Sequence, residues 1–556
     1  MVRDRLVQGL AAAVAKAQQA GQLAGIEALE IELTTPPRAE MGDFSTNLAL
    51  TIAGRAGLKA REVAETIARH FDKSGADCEN LEVAGPGFIN LRLRRTWLCD
   101  AVRDCIAQGQ MYGCSDEGRD VKVHVEFVSA NPLGPIHIGN ARGGPYGDVL
   151  GNMLAALGYR VYKEYYVNDG PHNTQAIQFG RSLQARYREL LGLGFCFPEG
   201  GYAGEYVVDL ARELVTRDGA THAAIGQDDD GAYAFFQLVE GPIVESARQT
   251  MTGFGVEYEG WFHEADLYRD GAVDREVQRL LSIGVAYHQD GAVWLKTGEH
   301  GDEEDRVLIR SNGRPTYIAS DAAYARHKYS SFDRAIYVLG PDHAGYVPRL
   351  KAVIEAGGVN LERVEVVVHQ TVRLLRGGQP VRLSKRRGEI ISLDEVVAEV
   401  GRDAARFFFL MRSVDSHLDF DLDLARKQSD ENPVYYVQYA HARIRSIERT
   451  AQDRSLLFPS PPDLSLLTEP TELALMRLIA EYPHELHAAA VARAPHRLTA
   501  MARDLAAAFH QFYATCQVLD AGNPGLSGAR MALVSATRQL LANELTMMGL
   551  AVPDRM

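Results

Sequence analysis

Residues 121–167 constrain the fold of this chain more than any other stretch. Residues 121–128 (VKVHVEFV) alternate apolar and polar side chains with period two, as a half-buried strand does. A loop rich in Asn, Pro and Gly follows. An apolar-periodic stretch over 138–157 then predicts a helix, and 159–167 a second strand. A strand, a helix and a strand in this order make a crossover unit, which joins parallel neighbours. Further strands at 335–339 and 364–368 flank a helical stretch around 347–356. Such alternation predicts a mainly parallel, doubly wound sheet, with ligands at the carboxyl ends of its strands.

The flanks read differently. Residues 1 to about 110 mix helical stretches with a strand-like end, Gly85-Pro86-Gly87-Phe88-Ile89-Asn90-Leu91-Arg92-Leu93. From about Gly401 strand patterns disappear. Residues 403–412, 435–449, 473–490 and 498–519 are helix-like, with a proline-bearing loop at 458–470, so the end of the chain predicts a helix bundle. No internal repeat is present. A chain of 556 residues accommodates several domains, and the expected division is 1–112, 113–400 with an insertion at about 170–305, and 401–556. With 46% hydrophobic and 24% charged residues, whole-chain disorder, collagen and coiled coil are excluded. The six cysteines include no C-x-x-C pair, which argues against a disulfide scaffold or a Cys-rich zinc site. No apolar run approaches the ~20 residues of a membrane span. The N-terminus, charged at Arg3, Asp4, Arg5 and Lys16, lacks a signal-peptide core. A soluble cytoplasmic protein is expected.

Phosphate chemistry is indicated without the common phosphate loops. No G-x-x-x-x-G-K-[ST] occurs, and no G-x-G-x-x-G opens a helix after a strand. An ordinary P-loop NTPase and a simple dinucleotide enzyme are thereby excluded. The loop after the first strand reads Ala130-Asn131-Pro132-Leu133-Gly134-Pro135-Ile136-His137-Ile138-Gly139-Asn140, then Ala141-Arg142-Gly143-Gly144. A helix beginning here aims free N–H groups and the positive end of its dipole at the loop, which suits an anion. His137 and Asn140 add donors, and Gly139 admits a nucleotide ring close to the backbone. The plain alternative is a Gly/Pro-rich connector with an incidental histidine. Far downstream, residues 373–387 carry Arg373, Arg376, Arg382, Lys385, Arg386 and Arg387 and no acid. A basic loop at the carboxyl end of a parallel strand can close over a triphosphate. Its alternative is a solvated surface run.

Together these two segments resemble the signature pair of the class I aminoacyl-tRNA synthetases. His137-Ile138-Gly139-Asn140 is similar to their HIGH element, and Arg382-Leu383-Ser384-Lys385-Arg386 to their KMSKS loop. The resemblance narrows to the arginyl-tRNA synthetase family and covers nearly the whole chain. Gly42-Asp43-Phe44-Ser45-Thr46-Asn47 and GPGFIN at 85–90 resemble its added N-terminal domain. Tyr165-Tyr166-Val167-Asn168-Asp169 and Gly204-Glu205-Tyr206 are similar to its inserted region. Pro315-Thr316-Tyr317, Ser320-Asp321 and Gly340-Pro341-Asp342-His343 resemble its amino-acid and ATP region. Residues 431–443 (ENPVYYVQYAHAR) and Pro553-Asp554-Arg555-Met556 are similar to its anticodon-binding domain. Two positions depart from the pattern. Asn140 replaces the last histidine of HIGH, and an amide donates a hydrogen bond but never becomes cationic. Arg382 replaces the first lysine of KMSKS, while the second is retained as Lys385. Family members without that second lysine carry one just before HIGH, where this chain has Gly134.

What the resemblance implies is a multidomain α/β protein: a Rossmann-like doubly wound catalytic domain, a small α+β N-terminal domain and an all-α C-terminal helix bundle. It implies activation of L-arginine by ATP with Mg²⁺, then transfer to the terminal ribose of tRNA(Arg) with release of AMP and pyrophosphate. In-line attack of a carboxylate on the α-phosphate asks for positioning and charge stabilisation. The implied catalytic residues are His137, Asn140, Ser384 and Lys385. ATP contacts are implied for these except Ser384, and for Gly134, Pro135, Gly139, Asp342, His343 and Leu383. A guanidinium is planar, always charged and carries five donors, so its pocket needs carboxylates and acceptors. The implied arginine residues are Glu126, Ser129, Asn131, Tyr317 and Asp321. From pattern alone Glu126, which faces away from Val125 and Phe127, and Asp321 read equally well as surface carboxylates. Phe88 and Asn90 correspond to a contact with the tRNA D-loop, a ring to stack and an amide to read a base edge. The alternative puts Phe88 in the core. Tyr439 and Arg443, at i and i+4 on one helix face, correspond with Met556 to anticodon contacts; ordinary helix packing is the alternative for Tyr439. Magnesium would arrive with the nucleotide, no structural metal is expected, and a monomer free of membranes is expected.

Three rivals stay open at this point: a class I synthetase of other specificity, a small nucleotidyltransferase, and a silent tRNA-binding paralogue. The nucleotidyltransferase would not need the flanking domains. Net charge is −14, which taken alone argues against a polyanionic partner. Residues 201–305, however, hold 22 Asp+Glu against 7 Lys+Arg, so this stretch carries −15 and the rest of the chain +1. Because screening limits electrostatics to ~8 Å, the local patch decides, not the total.

Overall fold

The structure is a computed structural model that describes residues 2–24, 26, 30–381 and 391–556. Its centre is the predicted crossover unit. Strands β4 (Lys122–Phe127) and β5 (Arg160–Val167) lie parallel, with the helix Gly143–Ala156 between them in sequence. Before them, β1 (Phe44–Thr46), β2 (Cys78–Ala84) and β3 (Phe88–Leu93) form an antiparallel sheet in the order β1-β3-β2, covered by the helices Val2–Gln19, Leu48–Ala56 and Ala60–His70. After them come β6 (Gly260–His263), a small antiparallel sheet of β7 (Ala286–Gln289), β8 (Ala292–Leu295) and β9 (Arg306–Ile309), then β10 (Arg334–Leu339) and β11 (Val364–Val368).

The main sheet runs β11-β10-β4-β5-β6, parallel throughout. The chain leaves β4 on one side through β5 and β6 and returns on the other side with β10. Strand order therefore reverses between β4 and β10, and a crevice opens there at the carboxyl ends. Val123, Val125 and Phe127 are buried on one face, where the Phe127 ring meets the helix Gly143–Ala156 at Gly147. His124 and Glu126 occupy the other face, with Glu164 and Tyr337 in register beside Glu126, under the helix Tyr317–Ser331. Two helices on opposite faces of a parallel sheet make the doubly wound arrangement that the alternation predicts.

Several expectations need correction. The single helix expected over 138–157 is two, Ile138–Ala141 and Gly143–Ala156. They part at Arg142, whose buried guanidinium donates to Gln370 O (3.0 Å), Ser416 O (2.7 Å) and Ser413 O (2.7 Å). Strands do not end at Gly401. β12 (Val372–Arg376) pairs with β13 (Gln379–Pro380) and, in parallel, with β14 (Leu418–Asp421). A helix beyond the 498–519 pattern, Pro524–Met547, packs between the helices Pro433–Asp453, Pro470–Val491, His496–Thr515 and Thr96–Gln108. Enclosed on several sides, it buries a broad face that mixes Leu533, Leu540, Leu541 and Leu545 with Ser527, Thr537, Asn543 and Glu544, so no narrow apolar stripe marks it in the sequence.

The acidic stretch is structural in large part. Asp228 caps the helix Asp229–Gly253 by accepting from Gly231 N (2.9 Å), and Asp229 pairs with Arg181 and Arg314. Carboxylates in a first helical turn also suit the dipole. Asp302 binds Arg306 at 2.7 Å, which holds its carboxyl down at about 2. The N-terminal unit docks on the helix Pro470–Val491 through Arg3–Glu481 (2.5 Å), Arg477–Asp43 (2.7 Å) and Tyr112 OH donating to Ile479 O (2.9 Å). Among the described residues, no helix is long and apolar enough to cross a membrane.

Candidate active site and nucleic-acid interface

The site begins where β4 ends. Val128 (φ 70°) and Ser129 (φ 41°) both adopt left-handed backbone, which is costly for a β-branched residue. Conformations of this kind cost ~1–3 kcal/mol each and persist where surrounding contacts over-determine them. Here the Ser129 hydroxyl accepts from Tyr166 N (3.1 Å), and the Tyr258 and Tyr165 hydroxyls donate to Phe127 O (3.2 Å) and Ala130 O (3.0 Å). The chain then reaches Gly134, at φ 153°, where an added Cβ would lie 2.9 Å from the Tyr206 ring. Only glycine fits against the insertion at that point.

His137 is the N-cap of the turn Ile138–Ala141. Its Nδ1 accepts from Gly139 N at 3.1 Å, so the neutral ring carries its proton on Nε2. Burial keeps this imidazole below its ordinary pKa, against a pull from Asp342. With Nδ1 so occupied, the Nε2–H is the ring donor left to face the cavity. A Cβ on Gly139 would stand 2.9 Å from the ring, so what fills the space beside this glycine is His137 itself. The strand-like segment around His137 pairs with the residues that follow the basic stretch: Ile138 N donates to Ile391 O (3.1 Å) and Leu393 N to Ile136 O (2.8 Å). Ser392 then opens the helix Leu393–Val400 with a capping box. Of the basic residues, Arg373 pairs with Asp419 and Arg376 with Glu399. Leu383, Ser384 and Lys385 lie outside the described residues, as does Arg382.

A cavity of about 870 Å³ fills the crevice between β4 and β10. Glu126, Ser129, Asn131, Gly134, Pro135, His137, Asn140, Tyr317, Asp321, Asp342 and His343 all line it. The sequence scatters them over more than 200 positions, and the switch in strand order brings them together. Glu126 is buried (7% exposed), with Oε2 taking Lys328 Nζ at 2.6 Å and the Tyr324 hydroxyl at 3.2 Å. Asp321 receives the Tyr346 hydroxyl, and burial nevertheless pushes its carboxyl up to about 7, with Glu126 adding to the rise. Arg349 donates to the Tyr317 hydroxyl (2.8 Å). Asp342 and His343 are exposed in the turn after β10, 3.5 Å apart.

The sequence reading missed Glu264. It is 6% exposed, lines the same cavity, and burial pushes it to about 7, with Asp321 nearby adding to the effect. A Glu at the start of a six-residue helix carries no motif; the only hint was an acid directly after a strand end. Beside it, His263 is held cationic by Asp169 (2.5 Å) and Glu240 (3.4 Å), raised to about 10, an ion-paired trio that ties β6 to the end of β5.

A second cavity, about 770 Å³, lies in the helical region and is lined by Tyr439, Arg443, Arg449, Arg454, Tyr513 and Met556 among others. The Arg443 guanidinium sits between the Tyr439 and Tyr513 rings, 5.1 Å from each. This basic, aromatic pocket is formed by a chain of net charge −14. On β3, Phe88 is 41% exposed, so it is not a core residue, whereas Asn90 is buried beneath it.

Comparison with known proteins agrees with this geometry. The chain matches the family models for the arginyl tRNA synthetase N terminal domain (residues 4–93), the class I (R) tRNA synthetase catalytic domain (229–412) and the DALR anticodon binding domain (437–556). It is 45% identical over 560 residues to the arginine–tRNA ligase of Moorella thermoacetica, covering 100% of this chain and 99% of that relative. The chain belongs to the arginyl-tRNA synthetase family. The corresponding ligase of Syntrophotalea carbinolica is 46% identical over 533 residues, 95% of each chain. In fold, the chain resembles the arginyl-tRNA synthetase of Thermus thermophilus (TM-score 0.78, 21% identity, 100% of both chains) and that of Plasmodium falciparum (0.72, 16% identity, 100% and 99%).

Proposed function

We propose that this chain is an arginine–tRNA ligase: it activates L-arginine with ATP·Mg²⁺ and passes the arginyl group to tRNA(Arg). The observation that carries the reading is the convergence of three carboxyl groups, Glu126, Glu264 and Asp321, in one cavity closed at its other end by the His137 turn. Three acids in a buried site have no use for an anionic or apolar side chain; a guanidinium with its five donors satisfies them. Asp321 and Glu264, both pushed up by burial, are assigned to the guanidinium, with Tyr317 at its edge. Glu126, Ser129 and Asn131, close to the His137 loop, are assigned to the α-amino end. That orientation leaves the substrate carboxylate facing the nucleotide.

At the phosphate end, His137 Nε2–H and the free N–H groups of the turn meet phosphoryl oxygens, with Asn140 as a neutral second donor. Gly134, Pro135, Gly139, Asp342 and His343 shape the nucleotide's place. Lys385, with Ser384 and Leu383, is assigned to the departing pyrophosphate by the resemblance of its loop. Residues 1–112 are assigned to the D-loop through Phe88 and Asn90, 113–400 to catalysis, and 401–556 to the anticodon through Tyr439, Arg443 and Met556. We place the enzyme in the cytoplasm, acting as a monomer. Charging of purified tRNA and ATP–pyrophosphate exchange with each amino acid test the reading: arginine alone supports both. Lys385→Ala lowers the exchange rate at least ~10-fold, a floor set below the ~10²–10³ typical of losing one such donor. Near-normal exchange by that variant overturns its assignment.

A further inference from the structure

One helix, Tyr317–Ser331, carries two layers of the site. Tyr317, Asp321, Tyr324 and Lys328 recur at i, i+4, i+7 and i+11, a single stripe. The upper members face the cavity. Lys328 lies below it, with a fully buried side chain. Its ammonium stands 2.6 Å from Glu126 Oε2, 4.2 Å from the centre of the Tyr324 ring and 4.0 Å from that of Tyr337. A lysine is among the residues least often buried in full, and a pair of this depth survives only with good geometry. The aromatic faces meet the charge that Glu126 does not.

Beyond Glu126 the layer continues. The Tyr324 hydroxyl bridges Glu126 and Glu164, and Glu164 Oε1 receives His124 Nε2 at 2.9 Å. Both hydrogen bonds to Glu126 fall on the same oxygen, Oε2. The carboxylate is thus held at one oxygen by Tyr324, which lines the cavity, and by Lys328, which does not.

We propose that Lys328 is a positioning residue for arginine recognition: it holds the Glu126 carboxylate oriented toward the bound amino acid. This rests on the assignment of Glu126 to the arginine site. Without Lys328, the Glu126 carboxylate loses its 2.6 Å anchor and is left buried without its ionic partner, which is strongly unfavourable. Lys328→Met, similar in length and apolar, then behaves like Glu126→Gln.

The test is a double-mutant cycle on the arginine KM of the exchange or charging reaction. Lys328→Met is expected to raise the arginine KM at least tenfold while the ATP KM stays within twofold. The same substitution made in Glu126→Gln changes the arginine KM less than threefold. A general loss of packing would move both substrates and would add to Glu126→Gln instead of merging with it. An arginine KM within threefold of the parent in Lys328→Met, or an undiminished effect in Glu126→Gln, overturns the proposal. Should Lys328→Met not fold, Glu126→Gln and the double variant, in which no charge is left unpaired, are compared: a difference below threefold supports the proposal and a larger one overturns it. An unchanged arginine KM in Glu126→Gln alone would instead refute the assignment of Glu126 itself.

Discussion

Arginine binding should release protons and strengthen with pH across neutrality. The perturbation is a change of pH from 6 to 8, and the groups are Asp321 and Glu264, both pushed by burial to about 7. A carboxyl of pKa about 7 is roughly 10% ionised at pH 6 and about 90% at pH 8. If the guanidinium binds the ionised form of one such group, affinity rises about ninefold over this range, or ~1.3 kcal/mol. Ionising both, each half-protonated at pH 7, releases about one proton per arginine bound; the two titrate as a pair. The sign is opposite in the empty protein. A carboxyl raised in the folded state favours the protonated native form, so its stabilisation is complete below the unfolded value of about 4 and is lost as pH rises through 7. Bound arginine reverses that by favouring the ionised pair. Titration calorimetry in two buffers of different ionisation enthalpy counts the protons. Affinity flat between pH 6 and 8 with release below ~0.2 proton would refute the carboxyl clamp. Asp321→Asn should flatten the profile and weaken binding together.

The other predictions follow from single contacts. Gly139→Ala places a Cβ 2.9 Å from the His137 ring; pyrophosphate exchange should fall at least ~10-fold, as for a lost phosphate donor, with the melting temperature nearly unchanged. Tyr439→Ala should raise the KM for tRNA by about 5- to 150-fold, the equivalent of a ~1–3 kcal/mol stacked base, while arginine still gives its full thermal shift. Glu544 is buried, its Oε2 without a hydrogen-bond partner among the described residues, and burial holds its carboxyl far above the ordinary range. Its contribution is therefore lost as pH climbs, and Glu544→Gln should raise the melting temperature more at pH 9 than at pH 6 by calorimetry.

Much of the architecture was legible because it rests on short-range pattern. Period-two alternation marks β4, and β11 falls on the expected residues 364–368. The loop between β4 and the His137 turn announced itself by composition. What pattern could not supply was depth. From pattern alone Glu126 and Asp321 read as surface carboxylates, and only the resemblance placed them in a pocket; Lys328, 202 residues from Glu126, and Tyr346, 25 from Asp321, are what cover them. Glu264 had no motif at all. The tautomer of His137 depends on a backbone N–H two residues away, and the break at Arg142 depends on carbonyls more than 200 residues downstream. Local periodicity reports which face of an element is apolar, not which distant polar group will cover a polar one.

The Arg142 contacts also set a schedule for biosynthesis. Its carbonyl partner Ser416 lies 274 residues later, and the side chain that binds Lys122 N, from Asp333, lies 211 later. At about 5–20 residues per second, a ribosome needs roughly 14–55 s to deliver 274 residues. Through most of that interval the central strand β4 has its partner β5 but an open edge where β10 will sit, and the turn bearing His137 has nothing to pair with. A nascent chain of this protein thus carries an unfinished parallel edge for tens of seconds, the kind of surface that chaperones occupy and that favours misassembly when synthesis outpaces them.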